Sequence, residues 1–239
     1  MATTILEKRS SNITTPYTRF VFVDELRGVA VGLMIFFHFS YDLKMFGFAT
    51  MNFQKDFFWW FLPRLIVFLF LFSMGMSTCL GHWPHLKKRP FFIRLAKVGG
   101  GAILVSLVTY VLFPDRWIYF GTLHCITLSS LAILPFMGRP YTSLIIGLAL
   151  PISKWFFGIG PSWFSLNHQS MDYIPFTPWF GICLLGVFAF HQGLQKLVLP
   201  LPKKMKHALL FLGRHSFLIY LVHQPLLYGT VYLVWMIQR

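Results

Sequence analysis

The sequence predicts an all-α protein, a polytopic transmembrane helix bundle of about seven spans. Of the 239 residues, 56% are hydrophobic and only 12% are charged, whereas about a quarter of the residues in ordinary globular domains carry a charge. Because so few charges cannot cover a surface that faces water, most of the surface must face lipid. The apolar residues also form long runs separated by short polar segments, which is typical of membrane-spanning helices.

Seven apolar runs approach the length of about 17–25 residues that a helix needs to cross a bilayer. They lie at about 20–40, 57–80, 91–113, 120–136, 141–157, 174–192 and 209–236. The fourth and fifth runs are short and only four residues apart, which indicates a tight hairpin. The seventh is long, so we expect it to begin with an interfacial turn before Gly213. The polar residues 1–19 are expected to form a disordered cytoplasmic tail, and residues 20–239 a single transmembrane domain.

The basic residues predict the orientation in the membrane. The chain holds 21 Lys and Arg against 7 Asp and Glu, for a net charge of +14. If the N-terminus is cytoplasmic, the cytoplasmic segments hold 14 basic residues and the outer segments five. The positive-inside rule therefore predicts a cytoplasmic N-terminus, and an outer C-terminus if there are seven spans. Basic clusters in short loops suit anionic lipid, so a nucleic-acid partner is not expected.

The first span carries several ionisable residues that are costly in a bilayer. A charge at the bilayer centre costs about 2.5–3.5 kcal/mol or more, so such residues usually face a protein interior or a wet cavity. Arg27 and His38 are eleven positions apart, which is about three helical turns, so they share one face with His38 roughly 16 Å deeper. Alternatively, Asp24, Glu25 and Arg27 form an interfacial cluster that pairs with itself, and His38 is a packing residue.

Further polar and aromatic side chains lie at the ends or in the middle of other spans. Those predicted on the outer side are Arg64, His124, Trp163, Asp172 and Trp179. Those in the last span are Arg214 and His215 near its start, and His223 and Gln224 in mid-span before Pro225. Simpler structural roles are open for several of them. Arg64 can snorkel to the interface, the tryptophans can anchor the helices there, and Gln224 can satisfy the carbonyl that the proline frees.

Two sets of motifs carry a resemblance to known families. Arg27, ten intervening residues and His38 resemble the Arg-x10-His signature of the acyltransferase-3 family of membrane acyltransferases. Other segments are similar to the heparan-alpha-glucosaminide N-acetyltransferase-like family, including its short bacterial members of unknown substrate. They are VDELRG (23–28) with HFSYDL (38–43), YFGTLHCI (119–126), DYIPFTPWFG (172–181) and LGRHSFLIYLVHQP (212–225). Together they extend over nearly the whole chain.

The resemblance implies that residues 20–239 form a transmembrane acyltransferase-like domain of a bacterial inner membrane. Such a protein would move an acyl group, typically acetyl, from cytosolic acyl-CoA to a hydroxyl or amine acceptor. The donor substrate would be acetyl-CoA or another acyl-CoA, and no metal is expected. The acceptor would be sugar-type, such as a glycan or a lipid-linked molecule, and the protein is compatible with an oligomer in the bilayer.

Site residues follow from the same resemblance. The lysosomal enzymes of the family use a loop histidine, but the corresponding stretch DFFWW (56–60) has none. His38 is therefore matched through the acyltransferase-3 pattern as the general base, a role that suits imidazole. His124 is the second candidate, and Asp42 or Asp172 would orient the base. The donor phosphates would bind Arg27, Arg214 and His215. The acceptor would meet Arg64, Trp163, Trp179, His223 and Gln224.

Two functions of other classes use the same residues. A small transporter or channel would place the buried His, Arg and Asp residues along a proton or substrate pathway. The chain shows no repeat of broken helices, a feature of many transporters, which argues against that function. The other alternative is a non-catalytic membrane subunit that delivers a substrate to a soluble partner. An assay with acetyl-CoA that detects free coenzyme A or a labelled acceptor separates the three functions.

Overall fold

The computed structural model describes residues 20–160 and 163–238, so the tail predicted at 1–19 lies outside the described residues. Within them the chain is all-α, which confirms the predicted class. The helices are α1 (Val21–Met45), α2 (Phe57–His82), α3 (Lys88–Leu112), α4 (Thr122–Ala132), α5 (Pro140–Phe157), α6 (Phe176–His191), α7 (Lys203–Arg214) and α8 (Ser216–Ile237). Short 3-10 helices follow α4 and α6, at Leu134–Phe136 and Leu194–Lys196.

The surface of the bundle is that of a membrane protein. Helices α2, α3 and α8 are long and apolar enough, by length and composition, to cross a membrane. Large apolar side chains stand exposed on α3 and α8, including Leu107 at 59%, Val111 at 76% and Ile237 at 84%. Exposed apolar surface on this scale is unfavourable in water and suits lipid chains. Helices α1, α5, α6 and α4 with its 3-10 extension pack alongside, which gives about seven traversing segments.

The helices alternate in direction, so the bundle has two distinct ends. At one end α2 finishes and α6 finishes, and the Trp83 ring lies 5.6 Å from the His191 ring. We call this the basic end, because α1 and α3 also begin there with most of the basic side chains. At the opposite end, the far end, α1 finishes and α2 begins, and the Phe36 ring stacks on Trp59 at 5.9 Å.

The C-terminal part differs from the single long span that the sequence predicted at 209–236. Two helices, α7 and α8, meet at His215. Helix α7 crosses α1 so closely that a side chain on Gly28 would collide with the Leu209 carbonyl. Likewise, a side chain on Gly213 would collide with the backbone of Asp24. The sequence predicted an interfacial turn before Gly213, and the structure has there a full helix, α7, which packs on α1 at the basic end.

The largest apolar core joins α2, α4 and α6. Its centre is built from fully buried side chains, among them Leu71 and Leu184. The three cysteines, Cys79, Cys125 and Cys183, are free and buried in the same core. This core fixes the start of α4 and the start of α6 at the far end.

Candidate active site

Helices α1 and α8 bring four polar side chains together inside the bundle. His38 and Asp42 lie one turn apart on the same face of α1, and His223 and Gln224 are neighbours on α8, directly before Pro225. The His38 and His223 ring centroids are 4.8 Å apart. Gln224 Nε2 donates a hydrogen bond to Asp42 Oδ1 at 3.1 Å. We call these four residues the His–Asp cluster.

The hydrogen bonds of the cluster assign the tautomer of His223. Its Nδ1 lies 2.7 Å from the backbone carbonyl oxygen of Tyr220. A carbonyl oxygen only accepts, so Nδ1 carries the hydrogen, and Nε2 of the neutral ring carries a lone pair. Nε2 is buried and has no hydrogen-bond partner among the described residues. His223 therefore presents a free, oriented acceptor atom to the interior of the bundle.

Two more acceptor atoms of the cluster are unsatisfied. Asp42 Oδ2 and Gln224 Oε1 are buried without a hydrogen-bond partner in the described part of the chain. A buried polar atom without a partner costs about 1–3 kcal/mol, so such atoms mark places where the O–H or N–H groups of water or a ligand bind. Three unsatisfied acceptors on adjacent residues make this cluster the strongest site candidate in the bundle.

Asp172, in the loop before α6, ties three segments together at the far end. Its Oδ2 accepts from the Thr122 backbone N–H at 2.8 Å and from the Tyr220 hydroxyl at 3.3 Å. Its Oδ1 accepts from the Thr122 hydroxyl at 3.4 Å. Burial raises the pKa of Asp172 above its ordinary value of 3.8, while these hydrogen bonds oppose the rise. Asp172 thus holds the start of α4, and it is linked to His223 through Tyr220.

His124 belongs to a separate, fully satisfied hydrogen-bond chain. The Gly121 backbone N–H donates to His124 Nδ1 at 3.2 Å, and His124 Nε2 lies 3.1 Å from the Ser106 hydroxyl. That hydroxyl in turn donates to the Ile118 carbonyl at 2.6 Å. Because Nδ1 accepts, Nε2 must carry the hydrogen and donate to Ser106. The neutral ring therefore has no free lone pair, and its contacts fasten α4 to α3.

The acidic and basic residues at the basic end form ion pairs. Asp24 lies 3.6 Å from Arg27 and 3.8 Å from Arg214. Glu25, whose side chain is fully buried, lies 3.6 Å from Lys206 of α7. Of the pairing considered as an alternative for Asp24, Glu25 and Arg27, the Asp24–Arg27 pair is present, whereas Glu25 pairs with Lys206 outside that group. Among the described residues, these pairs join two carboxylates to three cations. His215 bonds back to its own helix, with Nδ1 2.9 Å from the Phe211 carbonyl oxygen.

Arg94 adds a fourth cation at this end that the sequence reasoning did not select. It lies six residues into α3, as Arg27 lies six residues into α1, and the two charges are close enough to repel. Its guanidinium donates to the hydroxyls of Thr78 at 3.4 Å and Ser77 at 3.5 Å. No ion pair joins it to a carboxylate of the described residues. The signal was the same as for Arg27, a basic residue nearly two turns inside an apolar run.

The remaining sequence-selected residues lie apart from the His–Asp cluster. Arg64 donates to the carbonyl of Trp60 at 2.6 Å and covers its ring at 3.9 Å. The Trp163 ring packs between Phe120 and Phe176, each at 5.1 Å. Its indole nitrogen is buried without a partner in the described residues. Trp179 is only 6% exposed and belongs to the main core.

No group of three or more His, Cys, Asp or Glu side chains that could hold a metal ion occurs in residues 20–160 and 163–238. The candidate site is built from a pair of imidazoles, a carboxylate and an amide in the bundle interior, and several basic side chains lie at the basic end. These features define a polytopic membrane protein with a buried histidine–carboxylate site.

Comparison with known families narrows that class. The catalytic-domain model of heparan-alpha-glucosaminide N-acetyltransferase matches residues 19–225. The chain therefore belongs to this family of membrane acetyltransferases. The match includes every residue of the His–Asp cluster and the cations of the basic end. No curated protein and no solved structure matched the chain.

Proposed function

We propose that this protein transfers an acyl group, typically acetyl, from cytosolic acyl-CoA to a hydroxyl or amine of a sugar-type acceptor. The transfer takes place at the His–Asp cluster, where one imidazole of the His38–His223 pair acts as general base. The observation that carries the proposal is the set of unsatisfied acceptor atoms beside that pair. A positioned general base contributes about 10²–10⁴-fold to a transfer of this kind.

The basic end supplies the donor site. Four cations, Arg27, Arg94, Lys206 and Arg214, lie there against the two carboxylates Asp24 and Glu25. These cations suit the phosphates of coenzyme A, which guanidinium groups bind with charge-assisted, often bidentate hydrogen bonds. Arg94 supports this proposal most directly, because its described partners are hydroxyl groups only and its charge is not neutralised.

The distance between the two parts fits a donor of this shape. Arg27 and His38 share a face of α1 and are about 16 Å apart along its axis. In an acyl-CoA, an extended pantetheine arm separates the phosphates from the thioester. The phosphates would therefore bind near Arg27 and the thioester near His38, at two points along the same face of α1. With a cytosolic donor, the basic end and the start of α1 would face the cytoplasm, and the membrane would be a bacterial inner membrane.

The acceptor would enter from the far end. An open hollow of about 590 Å³ lies there, beginning two residues beyond Asp42, and its lining residues are Lys44, Gly47, Ala49, Thr50, Met51 and Asn52. Arg64 and Trp163 lie at the same end and remain proposed contacts for a glycan or lipid-linked acceptor. Trp179 is buried in the main core, so the contact expected for it is not proposed again. Polar and aromatic groups of this kind bind sugars through hydrogen bonds and ring faces.

Purified protein in lipid nanodiscs tests the proposal. With radiolabelled acetyl-CoA and a panel of sugar acceptors, we expect release of free coenzyme A and label on the acceptor. Arg94→Gln should weaken coenzyme A binding about 10–100-fold, because hydrogen bonds to a charged group contribute about 1.5–3 kcal/mol. Lys97→Gln is the matched control. Lys97 lies one turn further along α3 and covers the Phe217 ring at 5.0 Å.

The two alternative functions give different results in this assay. A transporter would move a solute without consuming thioester, and a non-catalytic subunit would bind a partner without releasing coenzyme A. Wild-type protein that neither binds coenzyme A nor transfers acetyl to any acceptor of the panel would overturn the proposed function.

A further inference from the structure

The two imidazoles of the His–Asp cluster are not equivalent. His223 is 8% exposed, and its ring is fixed by the bond from Nδ1 to the Tyr220 carbonyl. His38 is half-buried and makes no hydrogen bond with a described residue. Its tautomer is therefore not fixed by a hydrogen bond within the described part of the chain. A general base needs a lone pair that points at the proton it accepts. Of the two rings, only His223 has such a lone pair assigned by its contacts.

We propose, resting on the acyl transfer proposed above, that His223 rather than His38 is the proton-accepting base. The acceptor's O–H or N–H gives its proton to Nε2 of His223, while its oxygen or nitrogen bonds to the acyl carbon. The C–S bond of the acyl thioester breaks. The leaving thiolate then takes the proton from the imidazolium and departs as a thiol, which returns His223 to its neutral form.

Asp42 and Gln224 act as positioning residues for this base. Gln224 follows His223 on α8 and donates to Asp42 Oδ1, which ties the carboxylate on α1 to α8 one residue from the histidine. A negative charge held in this part of the bundle favours the imidazolium that forms during transfer. The free Asp42 Oδ2 and Gln224 Oε1 atoms accept hydrogen bonds from further donors of the acceptor molecule. His38 borders the reacting groups on the α1 side.

The choice of substitution separates the base from its structural bond. The amide nitrogen of Asn occupies the place of a histidine Nδ1, so His223→Asn can still donate to the Tyr220 carbonyl but loses the Nε2 lone pair. His38→Asn is the matched change on the neighbouring ring. His207→Asn is the control for a histidine outside the site, because His207 is exposed on α7 and bonds only its own helix, at Lys203.

In the nanodisc assay we expect His223→Asn to lower kcat about 10²–10⁴-fold, with coenzyme A affinity unchanged. His38→Asn should lose less, and His207→Asn should match wild type. The loss in His223→Asn should shrink for acceptors with more acidic hydroxyl groups, because these depend less on a base. A purely structural role would not produce that dependence. Near-normal kcat in His223→Asn, with loss confined to His38→Asn, would overturn the assignment.

A second readout does not depend on turnover. Nitrogen-15 NMR of protein with labelled histidine rings distinguishes protonated from unprotonated ring nitrogens, and the His223 signals are those missing from His223→Asn. We expect a protonated Nδ1 and an unprotonated Nε2. A protonated Nε2 would overturn the proposal even if the protein transfers acyl groups. Conversely, the expected spectrum in a protein without transfer activity would place the failure in the proposed function, and the oriented lone pair would stand.

Discussion

Replacing Asp172 with Ala tests whether this carboxylate is structural. The change leaves three donors without their acceptor, namely the Thr122 N–H, the Thr122 hydroxyl and the Tyr220 hydroxyl. Each buried donor left unsatisfied costs about 1–3 kcal/mol. The Thr122 hydroxyl bond is long and that side chain can turn, so we expect a total loss of about 2–4 kcal/mol in the free energy of unfolding.

The assay is thermal unfolding in detergent. Unfolding is monitored as the fraction of protein that remains monodisperse after heating. For a chain of this size, the expected loss corresponds to a fall of about 5–15 °C in Tm. Asp172→Asn should fall less, because its amide oxygen still accepts from the Thr122 N–H. Asp115→Ala is the control, since Asp115 is an exposed acid in the neighbouring α3–α4 loop. A wild-type Tm in Asp172→Ala together with lost transfer would refute the reasoning and make Asp172 a catalytic residue.

Three further predictions follow from the same contacts. Because burial raises the pKa of Asp172 above 3.8 in the folded state, protonation of this residue stabilises the fold. This contribution to stability is complete below pH 3.8 and is lost as the pH rises through the raised pKa. Asp172→Asn should therefore flatten the pH dependence of Tm in that range. Gly28→Ala should release α7 from α1, because its methyl group would meet the Leu209 carbonyl, and proteolysis within α7 should accelerate. A periplasm-active reporter fused after Lys88 should stay inactive, and activity there would reverse the assigned orientation.

The fold was largely predictable because lipid imposes simple rules. Apolar runs long enough to span a bilayer gave six of the seven segments within a few residues of the helices observed. The seventh span ends where predicted, but it begins later, because the residues before it form a separate helix, α7, that packs against α1 at Gly28 and Gly213. The apolar side chains of α7 do lie on one side of the helix, but that pattern does not identify the helix on which they pack. Hydropathy reports where a helix crosses lipid, but it does not report which helix another one touches.

The candidate site was predictable in part, for a related reason. Polar residues in apolar runs are rare enough to select His38, Asp42, His223 and Gln224 from the sequence, and the structure brings these four together. Their partners were not predictable. Whether a histidine has a free lone pair depends on which carbonyl or hydroxyl lies next to it. The sequence does not show that the Ser106 hydroxyl contacts His124, or that the Tyr220 carbonyl contacts His223.

The same limit applies to the charges at the basic end. Arg27 and Arg94 look alike in the sequence, since each lies six residues inside a helix. The sequence allowed the pairing of Arg27 with Asp24, which the structure has, but it gave no sign that Arg94 reaches hydroxyl groups of α2. The distinction decides which cation has charge left for a phosphate, and it depends on the packing of α3 against α2.

A cryo-electron microscopy structure with bound coenzyme A tests the central claim most directly. The account predicts phosphate density at the basic end against Arg94 and Arg27, and an extended pantetheine arm along α1. It also predicts that the thiol sulfur lies beside His38 and His223. Coenzyme A bound elsewhere on the bundle, or bound with its sulfur far from that pair, would contradict the assignment of the His–Asp cluster as the place of acyl transfer.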